Sequence, residues 1–186
     1  KGLTVTLKLF SLTLLLALPL GILMGMARLS HFKPLKWFME FYVWLFRGTP
    51  LLLQLLFMYF GLMTIGIRLE REIAAYLAFV LNYSAYLAEI FRSGIQSISR
   101  GQYEAADVLG FKRVLPPIGN EVINLVKDTA LIYVLAISEL SRVARTHVMR
   151  DGTFTPFIIA AVFYLIMTGT VQQVFKWLES RFDYYR

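Results

Sequence analysis

The sequence predicts an all-α polytopic membrane protein with about five transmembrane helices. Hydrophobic residues make up 58% of the 186 positions and charged residues only 17%, whereas about 25% of the residues in soluble domains are charged. The three longest runs without a charged residue are Leu9–Ala27, Gly48–Ile67 and Gly152–Phe175. A helix needs about 20 apolar residues to cross the hydrocarbon core, so each of these runs is long enough by itself.

Two shorter runs predict the remaining spans. Ile73–Ala88 ends at Glu89, and Thr129–Ser138 reaches spanning length only if it extends through Lys127, Asp128 or Glu139. A span with ionisable residues indicates contact with protein or water rather than with lipid. The sequence therefore predicts a single domain over residues 1–186, with a cytoplasmic loop over residues 93–120. The predicted spans lie near residues 3–28, 35–67, 71–92, 121–141 and 152–177.

The segment before the second apolar run predicts a helix that starts at the membrane interface. Lys33 and Lys36 lie at its beginning, and Trp37 and Trp44 follow, which is typical of membrane–water interfaces. Gly48-Thr-Pro50 should break or kink the helix, because proline removes a backbone hydrogen bond and clashes with the preceding turn. Gly48 and Pro50 are therefore hinge or gate candidates.

Charge and composition narrow the class of protein further. The net charge is +7, but the basic residues lie between apolar runs, so membrane topology explains them better than nucleic-acid binding does. Their distribution favours an N-terminus outside and a C-terminus inside, although the basic cluster Arg142–Arg150 falls on the outer side. The chain has no Cys and only two His, so we expect neither a metal site nor thiol chemistry.

The loop after the third predicted span contains a second helix signal. Ser99 and Gln102 have the spacing of a capping box, and Gly110 is a natural helix stop. Between them, apolar Ala105, Ala106 and Leu109 share a face. Such a short helix is suited to docking into another protein or to resting on the bilayer surface, and the residue pattern alone leaves both readings open.

Four segments of the chain resemble the permease subunits of ABC importers for polar amino acids. Glu104-Ala105-Ala106 followed by Gly110 is similar to the E-A-A-x-x-x-G signature of binding-protein-dependent permeases, and Gly101 precedes it as in the amino-acid branch. The other three segments are Arg47–Gln54, Ala85–Arg92 and Leu115–Glu121. They occur in the family's order over almost the whole chain, which makes the resemblance specific.

This resemblance implies a type I importer fold and a mechanism. The loop helix, with Gly101, Glu104, Ala105, Ala106 and Gly110, would be the coupling helix that docks on a cytoplasmic ATPase dimer. Closure of the ATPases on ATP would then switch the permease between outward and inward access. The sequence has no G-x-x-x-x-G-K-[ST] motif, so we expect ATP and Mg²⁺ on a partner chain, with no cofactor and no catalysis here.

The resemblance also implies partners and a location. A second permease, identical or related, would complete the pathway, and a solute-binding protein would deliver the amino acid from outside. We expect the chain in the cytoplasmic (inner) membrane of a prokaryote, surrounded by lipid.

One stretch departs from the family pattern. Gly110 is followed almost at once by Leu115-Pro-Pro117, whereas the family has a longer helical segment between these positions. Either residues are omitted from the sequence, which we favour because they would complete the coupling helix, or the protein is genuinely shortened.

Polar residues inside the spans are the candidates for the substrate pathway, because an amino acid needs both hydrogen-bond acceptors and donors near the bilayer midplane. The alternative for each is a hydrogen bond between helices. Glu139 is the sharpest candidate for a substrate ammonium or guanidinium, and an ion pair with Arg142 or Arg145 is its alternative. Glu89 is expected to pair with Arg92. The candidates are Gln54, Asn82, Ser84, Tyr86, Thr129 and Glu139.

The main alternative function is a stand-alone channel or secondary carrier for small polar solutes. Such a protein is expected to contain inverted repeats. The five predicted spans have unequal lengths and show no convincing repeat. A stand-alone channel or carrier would also have no ATPase partner for the E-A-A loop to bind.

Overall fold

The computed structural model of the chain describes residues 1–97 and 106–182, without the side chains of residues 106–112 and 182. Within these ranges the chain forms helices and contains no strand, which confirms the all-α prediction. A π-helical turn, Phe57–Gly61, follows α3, and a 3₁₀ helix, Thr129–Leu135, follows α6. The helices are α1 (Gly2–Ala27), α2 (Lys33–Gly48), α3 (Leu51–Leu56), α4 (Leu62–Thr64), α5 (Arg71–Gln96), α6 (Ala106–Asp128), α7 (Leu140–Asp151) and α8 (Thr155–Phe182).

Small residues hold α1 against α5, the most extensive helix pair of the fold. The buried face of α1 repeats every three or four residues, through Ala17, Gly21 and Gly25. It meets an equally small face of α5 that includes Ala85 and Ala88. Small side chains let two helix backbones approach closely, which is the usual source of helix association in membranes.

Three helices of the described chain are long and apolar enough to cross a membrane: Gly2–Ala27, Arg71–Gln96 and Thr155–Arg181. A fourth span forms if α2 and the segment Leu51–Thr64 are counted together, and these two parts meet at an angle of 104°. The bend falls at Thr49-Pro50, which confirms the predicted break. Thr49 is extended, with φ −119° and ψ 144°, as expected of a residue before proline.

The region predicted as the loop 93–120 and the fourth span 121–141 differs from that prediction. α6 begins at Ala106, runs through Gly110 and ends at Asp128, and a 3₁₀ helix completes the path. Gly110 therefore does not stop the helix. Glycine costs only about 1 kcal/mol inside a helix, and α6 offsets this by burying Val114, Leu125 and Val126. After Leu135 the chain turns at Ala136, whose φ is 61°, so residues 121–141 do not form one continuous helix.

The last two helices have different environments. α7 packs against α8 and against the N-terminal end of α1. α8 packs on α6, where Gly119 leaves room for Phe175. The rest of α8 exposes large apolar side chains such as Leu165 and Ile166, and an apolar helix surface in a membrane faces lipid or another subunit.

The close approach of α1 and α5 gives a first prediction. A Cβ atom at Gly21 would lie 2.5 Å from Cβ of Leu87, so Gly21→Ala should force the two helices apart. We expect a loss of stability of about 1–3 kcal/mol, measured as thermal unfolding of the purified protein in detergent. Gly169→Ala is the matched control, because nothing lies within 4 Å of its added Cβ. Equal unfolding temperatures of the two variants would contradict this packing.

Candidate translocation site

Two amides hold the bend between α2 and α3. The side-chain amide of Gln54 donates to the backbone oxygen of Phe46 at 2.9 Å and to Oγ1 of Thr49 at 2.8 Å. Asn82 of α5 donates to Oε1 of Gln54 at 3.0 Å. A sharp bend frees backbone carbonyls from helical bonding, and these amides supply the missing donors. Gln54 and Asn82 are thus positioned by hydrogen bonds between helix segments.

A polar cavity of about 400 Å³, here called the central cavity, lies beside this bend. One wall is formed by the start of α3, including Pro50, and the opposite walls by α5 and α6. The carboxyl groups of Glu121 and Asp128 and the amide of Asn124 line it together, because the spacings of three and seven residues place them on one face of α6. The full lining is Thr49, Pro50, Leu51, Leu52, Asn82, Tyr83, Tyr86, Glu121, Asn124, Asp128 and Leu131.

The central cavity lies near the middle of the membrane-spanning bundle. α5 runs from Arg71 to Gln96, and Asn82 and Tyr83 lie halfway along it. The hydroxyl of Tyr83 donates to Oδ2 of Asp128 at 2.7 Å. A carboxylate at this depth is costly unless it has hydrogen-bond partners or water, so ionisable groups there mark a functional site.

Of the predicted pathway residues, Asn82 and Tyr86 line the central cavity. Gln54 holds the bend, and Ser84 is fully buried and donates to the backbone oxygen of Leu81 at 3.0 Å. Thr129 is also fully buried and donates to the backbone oxygen of Val126 at 2.6 Å. Two of these residues make bonds between helix segments, as in the alternative reading: Gln54, and Ser84 with the Tyr42 hydroxyl 2.9 Å away on α2. The bond of Thr129 stays within its own helical turn, and a pathway role for the three residues stays a prediction.

Glu139 lies away from the central cavity. It is fully buried at the start of α7, where its carboxylate accepts the backbone N–H groups of Ser141 and Arg142, both at 2.6 Å. Tyr164 of α8 donates to the same carboxylate at 3.2 Å. The contact from Arg142 is therefore made by its backbone N–H and not by its guanidinium, and the Glu139 carboxylate caps α7. A role of Glu139 in the substrate pathway stays a prediction.

The sequence interpretation missed Glu121 and underrated Asp128. From the sequence, Glu121 was only the last residue of a family segment, and Asp128 only an ionisable residue before the fourth apolar run. Their separation by two helical turns was the available signal, since positions i, i+3 and i+7 share a helix face. Among the described residues no group of three or more His, Asp or Glu could hold a metal ion.

A second cavity of about 470 Å³ lies on the side of α5 that leads into the E-A-A loop, and we call it the loop-side cavity. Glu89 lies at its centre and pairs with three arginines from three helices. Nη1 of Arg28 is 2.5 Å and Nη1 of Arg47 is 3.4 Å from Oε2 of Glu89. Arg92 pairs with the other oxygen, which confirms the predicted intrahelical ion pair. The cluster fastens the ends of α1, α2 and α5.

Most of the predicted coupling residues lie outside the described part of the chain. Gly101, Glu104 and Ala105 fall between residues 97 and 106. Ala106 is the first residue of α6, and Gly110 lies in its second turn. Their docking role stays a prediction. Of the hinge candidates, Pro50 lies at the bend directly before α3, and Gly48 has nothing within 4 Å of an added Cβ.

A polar cavity at mid-depth between apolar helices defines a membrane transport protein. Residues 17–184 match the family described as binding-protein-dependent transport system inner membrane component. The chain belongs to this family, as the four motif segments suggested. It is therefore a membrane protein and a permease subunit of the ABC transporter class.

Individual relatives agree with this assignment. The arginine transport system permease protein ArtQ of Bacillus subtilis is 35% identical over 200 residues, covering 97% of this chain and 90% of the relative. A putative glutamine transport system permease protein GlnP of Rickettsia conorii is 33% identical over 198 residues, covering 97% of this chain and 91% of the relative. Both alignments are longer than this 186-residue chain, so each relative has residues that this chain lacks.

A solved structure has the same fold. A crystal structure of an amino acid ABC transporter with histidines matches with a TM-score of 0.87 and 36% identity, over 97% of this chain and 92% of the other. The match confirms the predicted type I importer fold.

The capping role of Glu139 gives a second prediction. Glu139→Ala should lower the stability by about 0.5–2 kcal/mol, because two backbone N–H groups lose their acceptor, and Glu139→Asn should restore part of the loss. The KM for transported amino acid should stay within about twofold of the parent value in both variants. Thermal unfolding and uptake kinetics of the reconstituted transporter measure the two effects. A large rise in KM in the stable Glu139→Asn variant would contradict a purely capping role and would indicate that Glu139 contacts the transported amino acid.

Proposed function

We propose that this chain is the permease subunit of an ABC importer that carries an amino acid with a cationic side chain across the cytoplasmic membrane. The observation that carries the proposal is the central cavity, where Glu121 and Asp128 face an open space at mid-depth. Two carboxyl groups in a membrane interior recognise a cationic ligand better than any neutral one, because a positive charge offsets the cost of keeping them there.

The shape and lining of the central cavity fit an amino acid. A volume of about 400 Å³ is within the usual range for small-molecule pockets. The carboxyl groups of Glu121 and Asp128 provide acceptors for an ammonium or guanidinium group. The amide of Asn124 provides a donor for the α-carboxylate, since the amide of Asn82 donates to Phe46 and Gln54 at the bend. No Lys or Arg is among the residues that line the cavity, so none of its lining residues carries a positive charge.

The relatives support an amino acid as the substrate class. Their names describe permeases for arginine and glutamine, and a further relative from Bacillus subtilis, 32% identical, is an L-cystine transport system permease protein. The matched crystal structure is of an amino acid transporter. Within this class, the two carboxyl groups favour arginine-like substrates over neutral ones.

Coupling to ATP uses partner chains in this proposal. The loop with Gly101, Glu104, Ala105, Ala106 and Gly110 docks on an ATPase dimer, which binds ATP and Mg²⁺, while the permease itself makes and breaks no covalent bonds. A second permease, identical or related, completes the pathway, and a solute-binding protein delivers the amino acid. The N-terminus lies outside and the C-terminus inside, since Arg28, Arg47 and Arg92 then gather on the cytoplasmic side.

Removing the cavity charges tests the proposed substrate class. In proteoliposomes containing the assembled transporter, ATP-dependent uptake of arginine should exceed that of glutamine. Glu121→Gln and Asp128→Asn should each raise the KM for arginine about tenfold to a hundredfold, because each loses a charge-assisted hydrogen bond worth about 1.5–3 kcal/mol, and should change glutamine uptake less.

Glu70→Gln is the matched control, because Glu70 is exposed in the connection before α5, and it should leave both uptakes unchanged. Equal effects of the cavity variants on arginine and glutamine would contradict a cationic substrate. Absence of uptake of any amino acid by the parent transporter would contradict the proposed function itself.

A further inference from the structure

Two cavities meet at a single aromatic side chain. Tyr86 lines both the central cavity and the loop-side cavity, and the bend at Gly48 and Thr49 separates them on the other side. Asn82 lines the central cavity and Glu89 the loop-side cavity, and seven residues of helix place them about 10 Å apart along the axis of α5. A direct route from the central cavity toward the E-A-A loop therefore passes Tyr86.

Arg47 occupies the point of contact. It lies at the end of α2, directly before the bend, and its guanidinium carbon is 5.4 Å from the centroid of the Tyr86 ring. This distance is within the range of a cation–π contact. The same guanidinium reaches Oε2 of Glu89 at 3.4 Å, whereas the Tyr86 ring also lines the central cavity. One cation thus interacts with groups of both cavities.

The contacts of Arg47 are weaker than those of the arginines beside it. Its side chain is 41% exposed, against 11% for Arg28 and 27% for Arg92, and its distance to Glu89 is the longest of the three. Exposed ion pairs contribute little to stability. Arg28 and Arg92 would still pair with the Glu89 carboxylate if Arg47 moved away. Movement of Arg47 therefore leaves the other two ion pairs of the cluster intact.

From this geometry we infer that Arg47 is the inner gate of the permease. Its guanidinium, stacked on Tyr86 and paired with Glu89, closes the passage between the central cavity and the loop-side cavity. A cationic amino acid can take the place of Arg47 on Tyr86 and Glu89 as it leaves, so the gate opens by exchange of one cation for another. This exchange rests on the proposed substrate class, whereas the closure of the passage does not.

Access of a reagent to the central cavity tests the gate directly. The sequence contains no cysteine, so Asn124→Cys gives a single thiol of the permease in the central cavity. Inside-out membrane vesicles carrying the assembled transporter present the E-A-A loop side to a membrane-impermeant thiol reagent. We expect labelling of this thiol to be about tenfold faster with Arg47→Ala, because the cation–π contact and the ion pair are both lost.

Two further variants make the result specific. Arg47→Lys should give a smaller increase, since an ammonium keeps the charge but cannot stack as a planar group. Lys36→Ala removes a charge from the same helix about three turns earlier and should leave the labelling rate unchanged. If Arg47→Ala fails to assemble, Arg47→Gln, a neutral side chain of similar reach, replaces it with the same expected increase.

The outcomes separate the gate from the proposed function. Labelling needs no substrate, so an increase with Arg47→Ala supports the gate even if no amino acid is taken up. A rate equal to that of the parent, or an equal increase with Lys36→Ala, overturns it. Faster labelling with unchanged discrimination between arginine and glutamine would support closure by Arg47 and contradict the exchange of cations.

Discussion

The bend held by Gln54 and Asn82 is the constraint on which the rest of the site depends. At 104° it turns α2 away from α3 and leaves backbone carbonyls without helical partners. Unsatisfied buried carbonyls cost about 1–3 kcal/mol each, and the two amides remove this cost. Residues on both sides of the bend line the cavities: Pro50 the central one, and Arg47 the loop-side one. Without the bend neither cavity would have this wall.

Four carboxyl groups show how environment, rather than residue type, assigns a role. Glu89 is surrounded by arginines and fastens three helices, whereas Glu139 accepts backbone N–H groups and caps α7. Glu121 and Asp128 line an open cavity. The first two have their acceptor capacity used by the fold itself. The last pair lines the central cavity, which is why these two residues carry the proposed recognition.

Much of the fold could be predicted from the sequence, because long uncharged runs and a Gly-Thr-Pro break are local signals. α1, α5, α8 and the break at Pro50 follow from such signals. The path of residues 106–135 could not be predicted in this way, since burial of α6 against its neighbours overrides the helix-stopping tendency of Gly110. The site was predicted only in part. Asn82 was found because it is polar within a span, but whether Glu139 or Glu121 meets a cavity depends on how distant helices pack.

The most direct test of the central claim is a structure of the assembled transporter with arginine bound. The account predicts that the arginine side chain lies in the central cavity, within hydrogen-bond distance of Glu121 and Asp128, with its α-carboxylate toward Asn124. Arginine bound at another place in the permease, for example beside Glu139, with the central cavity free of ligand, would contradict it.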